Sequence, residues 1–499
     1  MSFYTRWKKV PFYSNPDLKL LQLGRRDAIT MRTAFQNFLA VGGTGSGKTS
    51  SLHPTLLQAL LNSGAGFLIL CAKPEERATI LKVIKRAKRA RDVIIMDATA
   101  KERFNILDHV SRTLAKDGFE HNYVELMRIF SEAMNVASAN SDGGENSFFL
   151  QAALKWLSHT FPLLLAALGN LRLKDVYEMV ISAPRSVKQA SDPKWQEQSF
   201  CWKILYTVSV KAEHGDVRAQ RALDEHGDYW IEEIAPQAEK TRSSVEATLT
   251  NLIYPFLSGK LAELFCTDTT FTPDDARDGK IIILDLPVLT YGPMGAAAQS
   301  IFKYLFGLAM QSKPAERNTR PVVLWADECQ YFLSATDAEL LSTARSAKLC
   351  CVFITQDIPT FYAQLGHQQR DVADSIIGKF GTRLFYANTS RQTNQQAADL
   401  IGKTQKYNRS KTTSKGLNSG GSLNQSEWVN GAGAGDGRNQ TRTQSISSYE
   451  DYIFPPEFFA KGLRTGGPKN RKRVDAIIIR SGATFNETGA HWIKAEFHQ

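Results

Sequence analysis

No stretch of this 499-residue chain is both long and apolar enough to cross a bilayer, which takes about 18 or more consecutive apolar residues. The longest candidate, FFLQAALKWLSHTFPLLLAALGNL from Phe148 to Leu171, is broken by Lys155, His159 and Pro162 and reads as buried helix. The opening MSFYTRWKKVPFYSNPDLKL also lacks the apolar core of a secretory signal, so a cytoplasmic location is expected. Cysteine is scarce. Cys71, Cys201, Cys266, Cys329, Cys350 and Cys351 include no C-x-x-C pair, which predicts reduced core thiols rather than a disulfide framework or a zinc site. The histidines are scattered without H-E-x-x-H or similar ligand spacing, so no metal centre of that kind is predicted.

What is abundant points elsewhere. With 42% hydrophobic and 22% charged residues the chain reads as globular, and its length suits two domains. The 61 Lys+Arg against 50 Asp+Glu leave a formal charge of +11, a balance that favours polyanionic partners and that a solvated basic surface shares.

From Ala34 the apolar AFQNFLAV runs into a glycine-rich loop and the helical SSLHPTLLQALLNSG, followed by GFLILCA, a basic helix and VIIMDA. Strands alternating with helices predict a parallel α/β sheet. From about 109 to 255 the pattern is helical, with YVELMRIFSEAM, SFFLQAALKWLSHTF and SVEATLTNLIYPFL, and reads as an all-α inserted domain. Alternation then resumes through KIIILDLP, PVVLWAD, LCCVFITQ and GTRLFYAN. The expected organisation is an N-terminal segment over 1–30, a nucleotide-binding domain over 31–108 and 256–499, and the insertion between. Residues 403–448, rich in Gly, Ser, Asn, Thr and Gln, predict a flexible polar stretch or a weakly ordered hairpin.

The chemistry begins at GGTGSGKT, Gly42 to Thr49, which fits G-x-x-x-x-G-K-[ST] between a strand and a helix. In such a loop the backbone N–H groups of Gly42, Gly43, Thr44, Gly45, Ser46 and Gly47 converge on phosphates, with Ser50 in the helix beyond. Lys48 reaches the β- and γ-phosphates of ATP or GTP, and the Thr49 hydroxyl ligates Mg²⁺. Hydrolysis needs an acidic site as well, and VVLWADE ends an apolar strand on Asp327 and Glu328. Asp327 would hold Mg²⁺ through water and Glu328 would serve as general base. Gln356, at the end of FITQ, reads either as a γ-phosphate sensor or as a polar strand cap. Arg345 reads either as an arginine finger toward a neighbouring subunit or as a solvated helix residue. The basic runs KVIKRAKRAR and PKNRKR suit sequence-independent phosphate contacts, and equally a solvated face.

The ordered blocks LQLGRRDAITM, NFLAVGGTGSGKT, FLILCAKPEE, FNILDHV, SFFLQAAL, KTRSSVEATL, VVLWADECQYF, ARSAKLCCVFITQD and GTRLFYANTSRQTNQQAADLIG resemble those of type IV coupling proteins, the TraD/TraG-like ATPases of the FtsK/HerA class. The resemblance runs from about Leu20 to Gly402, and more loosely beyond. It implies a RecA-like P-loop domain interrupted by an all-α domain, ATP and Mg²⁺ as cofactors, and a homo-hexamer around a DNA channel. It aligns the family's catalytic Lys, Thr and paired acids with Lys48, Thr49, Asp327 and Glu328, and its arginine finger and glutamine with Arg345 and Gln356. Two departures stand out. Where many relatives read Asp-x-Lys-Gly-Glu, this chain reads CAKPE, with Cys71 and Pro74 replacing Asp and Gly while Lys73 and Glu75 remain. The paired N-terminal transmembrane helices of many relatives have no counterpart, which leaves two readings: a soluble variant held peripherally at the inner membrane through a partner, or a family member used elsewhere.

The implied activity is ATP-driven translocation of relaxase-bound DNA, bound without sequence preference, into a type IV secretion system. Two alternatives stay open: a HerA-like or packaging DNA pump, and an ATP-switched receptor for secreted proteins.

Overall fold

In the computed structural model, the structure describes residues 15–109, 144–312, 315–316, 318–366, 369–417 and 438–499. A nine-stranded sheet forms its centre, in the order β13-β12-β9-β3-β8-β7-β4-β6-β5. Its strands are β3 (Phe38–Val41), β4 (Gly66–Leu70), β5 (Val93–Met96), β6 (Ile281–Leu284), β7 (Val322–Ala326), β8 (Leu349–Thr355), β9 (Thr382–Phe385), β12 (Arg473–Arg480) and β13 (Trp492–His498). The seven strands from β9 to β5 run parallel, and β12 and β13 close one edge antiparallel. This is the mostly parallel α/β sheet read from the sequence.

Both faces of the sheet are covered, which explains why these strands are continuous apolar runs rather than alternating ones. Leu39, Val41, Leu68, Leu70, Ile282, Leu284, Leu324 and Phe353 point into one core. Their neighbours Phe38, Ala40, Phe67, Ile69, Ile281, Ile283, Trp325 and Ile354 point into the other. The first core is continuous with the helices that lie between β5 and β6, through Trp156, Leu157, Phe161 and Trp230. Every described element of that stretch is helical, including Gly144–Leu168, Phe200–Glu213 and Glu239–Ile253. The helix expected in YVELMRIFSEAM lies outside the described residues.

Several boundaries differ from the sequence reading. The strand expected across AFQNFLAV shrinks to Phe38–Val41, because Met31–Ala34 is helical and Asn37 turns the chain at φ 64°. Two strands went unforeseen near the start, β1 (Lys19–Gln22) and β2 (Ala28–Thr30), which form a small antiparallel pair. So did β13, whose alternating burial fits an edge strand with one wet face. Of the polar stretch expected over 403–448, the described parts belong to an antiparallel ribbon of β10 (Lys403–Leu417) and β11 (Arg438–Tyr452).

The helix after the glycine loop starts as Lys48–Leu52, opens into a π turn at His53–Leu57 and resumes as Gln58–Asn62. Pro54 accounts for the opening, since it has no N–H to return to the Ser50 carbonyl and its ring crowds that turn.

At the head of β4, Gly66 donates to Pro321 O (3.0 Å), and a methyl group on it would lie 1.7 Å from the Ala276 carbonyl oxygen. Gly66→Ala should therefore force β4 away from its neighbours and destabilise the fold by about 3 kcal/mol, a cost at the high end for overpacking. Urea unfolding monitored by circular dichroism measures it.

Candidate functional site

The strand order gathers the predicted residues. β3, β8, β7 and β4 are successive neighbours, and parallel strands expose all their C-terminal ends on one edge. The phosphate loop follows β3, Gln356 follows β8, Asp327 and Glu328 follow β7, and Lys73 lies just beyond β4. Residues some 250 or more positions apart in sequence thus meet within strand spacings of about 4.8 Å.

The loop is tied to its neighbours by Gly42 N–H to Thr355 O (3.3 Å) and Gly43 N–H to Ala387 O (2.9 Å). Gly47 occupies the left-handed region at φ 90°, and a methyl group there would lie 2.7 Å from Val474 Cγ2, so only glycine serves. Thr44, Gly45 and Ser50 are exposed, whereas Ser46 and Lys48 are buried. Lys48 Nζ folds back onto the loop, donating to Gly42 O and to Gly43 O (3.2 Å). Burial lowers the Lys48 pKa, and the charges of Asp327 and Glu328 oppose that shift.

Thr49 Oγ1 donates to Asp327 Oδ2 (2.8 Å), while the other Asp327 oxygen accepts the Glu328 N–H (2.9 Å). Glu328 itself sits at φ 50°, ψ 47°, a left-handed conformation uncommon outside glycine. Its carboxylate takes Lys73 Nζ (2.5 Å) on Oε1, Gln330 Nε2 (2.8 Å) on Oε2 and Gln356 Nε2 (3.3 Å) on both. Burial resists ionisation of Glu328, but these donors and the Lys73 charge outweigh it and hold the carboxyl below the usual range. An ionised, hydrogen-bonded carboxylate beside a Thr–Asp oxygen pair can accept a proton from water.

Gln356 bridges the two halves of the site, since its Oε1 also accepts from Thr44 Oγ1 (3.4 Å) and its backbone oxygen takes Asn388 Nδ2 (2.8 Å). Arg345 is not brought in. It is exposed and precedes β8, whereas Gln356 follows it. The seven residues of β8 therefore hold the two apart by roughly 20 Å.

Sequence reading missed the residues that position the site. Gln299, fully buried, accepts from Cys71 N–H (3.0 Å) and donates to Cys71 O (3.0 Å) and Leu286 O (2.8 Å). It thereby fixes the turn that aims Lys73 at Glu328. Four residues on, along the same helix face, Lys303 makes a buried ion pair with Asp337 (2.6 Å) and donates to Phe332 O (2.5 Å), anchoring the chain that leaves Glu328. Both sit in a helix whose apolar sequence gives no hint of a polar role. Glu76 Oε2 accepts the Ala72 N–H (2.8 Å), holding the turn that follows Cys71. His53 is buried in the π turn, its ring tilted against Trp325, with no hydrogen-bond partner for either nitrogen among the described residues. Of the basic run in KVIKRAKRAR, Arg89 is spent on structure, bonding Asp92 (2.8 Å), Ala65 O (2.5 Å) and Gly279 O. Lys82, Lys85, Arg86, Lys88 and Arg91 remain exposed. Among the described residues there is no His/Cys/Asp/Glu cluster able to hold a metal by itself, and no helix long and apolar enough to cross a membrane.

The sheet order and the glycine loop define a RecA-like P-loop α/β fold. Within that class, residues 321–450 match the family model described as the TraM recognition site of TraD and TraG. The fold is that of the bacterial conjugative coupling protein TrwB. Its TrwBdeltaN70 form, unbound, shares 14% identity over 98% of this chain and 90% of that one, with a TM-score of 0.57. TrwB in complex with the non-hydrolysable ATP analogue ADPNP gives 13%, 98%, 91% and 0.57, and TrwB with ADP and Mg²⁺ gives 13%, 96%, 90% and 0.54. The resemblance to coupling proteins read from the sequence is borne out at this level. No curated protein sequence matches the chain.

Burial, then the Asp327 charge, push the Glu76 carboxyl up to about 8 from its ordinary 4.5. The folded chain then keeps a proton that the unfolded chain has released, so this group costs stability as pH rises from about 4.5 to about 8. Glu76→Gln should flatten that part of the pH dependence of the melting midpoint, as thermal scans at half-unit pH steps would reveal.

Proposed function

We propose that the chain is an ATP-hydrolysing coupling ATPase that moves DNA during conjugation. The observation that carries this reading is the Thr49–Asp327 hydrogen bond with the ionised Glu328 held beside it by Lys73, at the mouth of a phosphate loop. Thr49 Oγ1 and Asp327 Oδ2 are hard oxygen donors lying side by side, which suits Mg²⁺, so these two residues would hold the ion. Bound Mg²⁺ supplies charge neutralisation for the β- and γ-phosphates.

In this mechanism the N–H groups of Thr44, Gly45 and Gly47 take the phosphates of ATP, those of Gly42, Gly43 and Ser46 being bonded to Thr355 O, Ala387 O and Gly43 O. Lys48 leaves its carbonyl partners for the β- and γ-oxygens. Glu328 accepts the proton of the attacking water, and Gln356, already in contact with Thr44 and Glu328, reports whether the γ-phosphate is present. Arg345 acts on a neighbouring subunit's nucleotide, because its own lies at the far end of β8. That assignment calls for an oligomer, a homo-hexamer around DNA by analogy with the family. Residues 109–255 then form the all-α domain, and 31–108 with 256–499 the motor domain.

The exposed cations of Lys82–Arg91 suit sequence-independent phosphate contacts. The match of 321–450 to a TraM recognition model supports docking onto a relaxase-bound DNA-processing complex, with delivery to a type IV secretion system at the inner membrane.

Lys48→Ala should weaken MgATP binding by about 100-fold, the loss of charge-assisted contacts worth about 3 kcal/mol. Isothermal titration checks it. Glu328→Gln should keep ATP bound while kcat falls by on the order of 10³; wild-type turnover in that variant would sink the base assignment. Wild-type ATPase rates should rise on adding single- or double-stranded DNA. A rate indifferent to both would favour the ATP-switched protein receptor instead.

A further inference from the structure

The basic PKNRKR segment, a candidate DNA contact by composition, lies beside the phosphate loop. Its turn precedes β12, and β12 begins next to Gly47. A methyl group on that glycine would touch Val474 Cγ2 and approach Thr465 O at 3.2 Å. Gln499 pins the turn to the loop. Its side chain donates to Ser50 Oγ (2.7 Å) and accepts the Gly467 N–H (2.9 Å), and its backbone N–H bonds Lys472 O (3.0 Å).

The topology says which end of a nucleotide this is. β3 has β8 and β7 on one side and β9 and β12 on the other. The γ-phosphate machinery, Gln356, Glu328 and Lys73, lies wholly on the β8–β7–β4 side. A triphosphate whose γ end faces that way directs its remaining length toward β9 and β12, where the turn sits.

The turn also has a conformation its residue types disfavour. Arg471 (φ 52°) and Lys472 (φ 58°) are consecutive left-handed residues, positions that Asn and Gly normally fill. They are held there by Arg471 N–H to Pro468 O (3.1 Å), Lys472 N–H to Gly467 O (2.8 Å) and Asn470 Nδ2 to Gly466 O (3.0 Å). Strained backbone of this kind persists where neighbouring structure imposes it, and it clusters at ligand sites. The side chains of Lys469, Arg471 and Lys472 are exposed and have no ion pair or hydrogen bond among the described residues. A planar guanidinium can stack on a base, and an amide such as that of Gln499 can bond a ribose hydroxyl or a base edge.

We infer that the Gly466–Arg473 turn, with Gln499, forms the nucleoside side of the triphosphate site and binds the base and ribose of a nucleoside triphosphate. The inference rests on the ATPase reading above and adds to it a recognition element that the phosphate loop does not contain.

The test compares MgATP with magnesium tripolyphosphate, which has the phosphates without the nucleoside, on the full-length protein. The double variant Arg471→Gly/Lys472→Gly keeps the turn, since glycine adopts the left-handed region freely, so its melting midpoint should not fall. Its MgATP affinity should drop about tenfold, as for one lost charge-assisted contact, while tripolyphosphate affinity stays within about twofold. Gln499→Ala should shift the same ratio in the same direction. Unchanged ATP affinity in both variants overturns the inference, as does an equal loss for the two ligands, which would mean that the turn only shapes the phosphate loop. Failure of the wild-type protein to bind either ligand would overturn the ATPase reading itself and the inference with it.

Discussion

Covering a parallel sheet on both faces is the constraint from which the rest follows. Once Leu39, Leu68, Leu324 and Phe353 commit one face to a core and Phe38, Phe67, Trp325 and Ile354 the other, polar groups of these parallel strands gather at the strand ends. The C-terminal ends of β3, β8, β7 and β4 therefore collect a lysine, a threonine, two carboxylates and a glutamine within a few strand widths. Glu328 shows how sharply the chain must turn there, since it leaves β7 through a left-handed residue to bring its carboxylate back over the strand ends.

That turn is held from beneath. The helix Val288–Gln311 carries Gln299 and Lys303 one turn apart, and each reaches a backbone segment that bears a site residue: Cys71 before Lys73, and Phe332 with Asp337 after Glu328. A buried lysine–aspartate pair is costly to desolvate, so its worth lies more in fixing one arrangement than in raising stability. The same helix thus sets the distance between the acid that would activate water and the lysine that keeps it ionised.

Much of this was legible in the sequence, for identifiable reasons. Apolar runs ending in Gly or Asp mark buried parallel strands, and the spacing of GGTGSGKT has a mechanical meaning, so β3, β7, Lys48, Thr49, Asp327 and Glu328 were readable without coordinates. Lys73 was visible only as a remnant of a family pattern, because nothing local says that β4 lies next to β7. Gln299 and Lys303 were hidden inside an apolar helix, where periodicity carries no information about a polar residue turned inward. The sequence pattern of PKNRKR announced charge but not location, which depends on β12 running antiparallel beside β9 so that its start returns to the phosphate loop.

The π turn at His53–Leu57 carries a historical consequence. Such a turn is an accepted insertion of one residue into an α-helical ladder, and each residue of an α-helix rotates the chain by about 100°. With the extra residue, Lys48 and Thr49 face the strand ends while Leu60 and Leu61 remain in the core. A descendant that lost it could keep the loop's orientation or the core's, but not both. Aligned with a chain whose helix has no such turn, this one would need a gap of one residue within His53–Leu57.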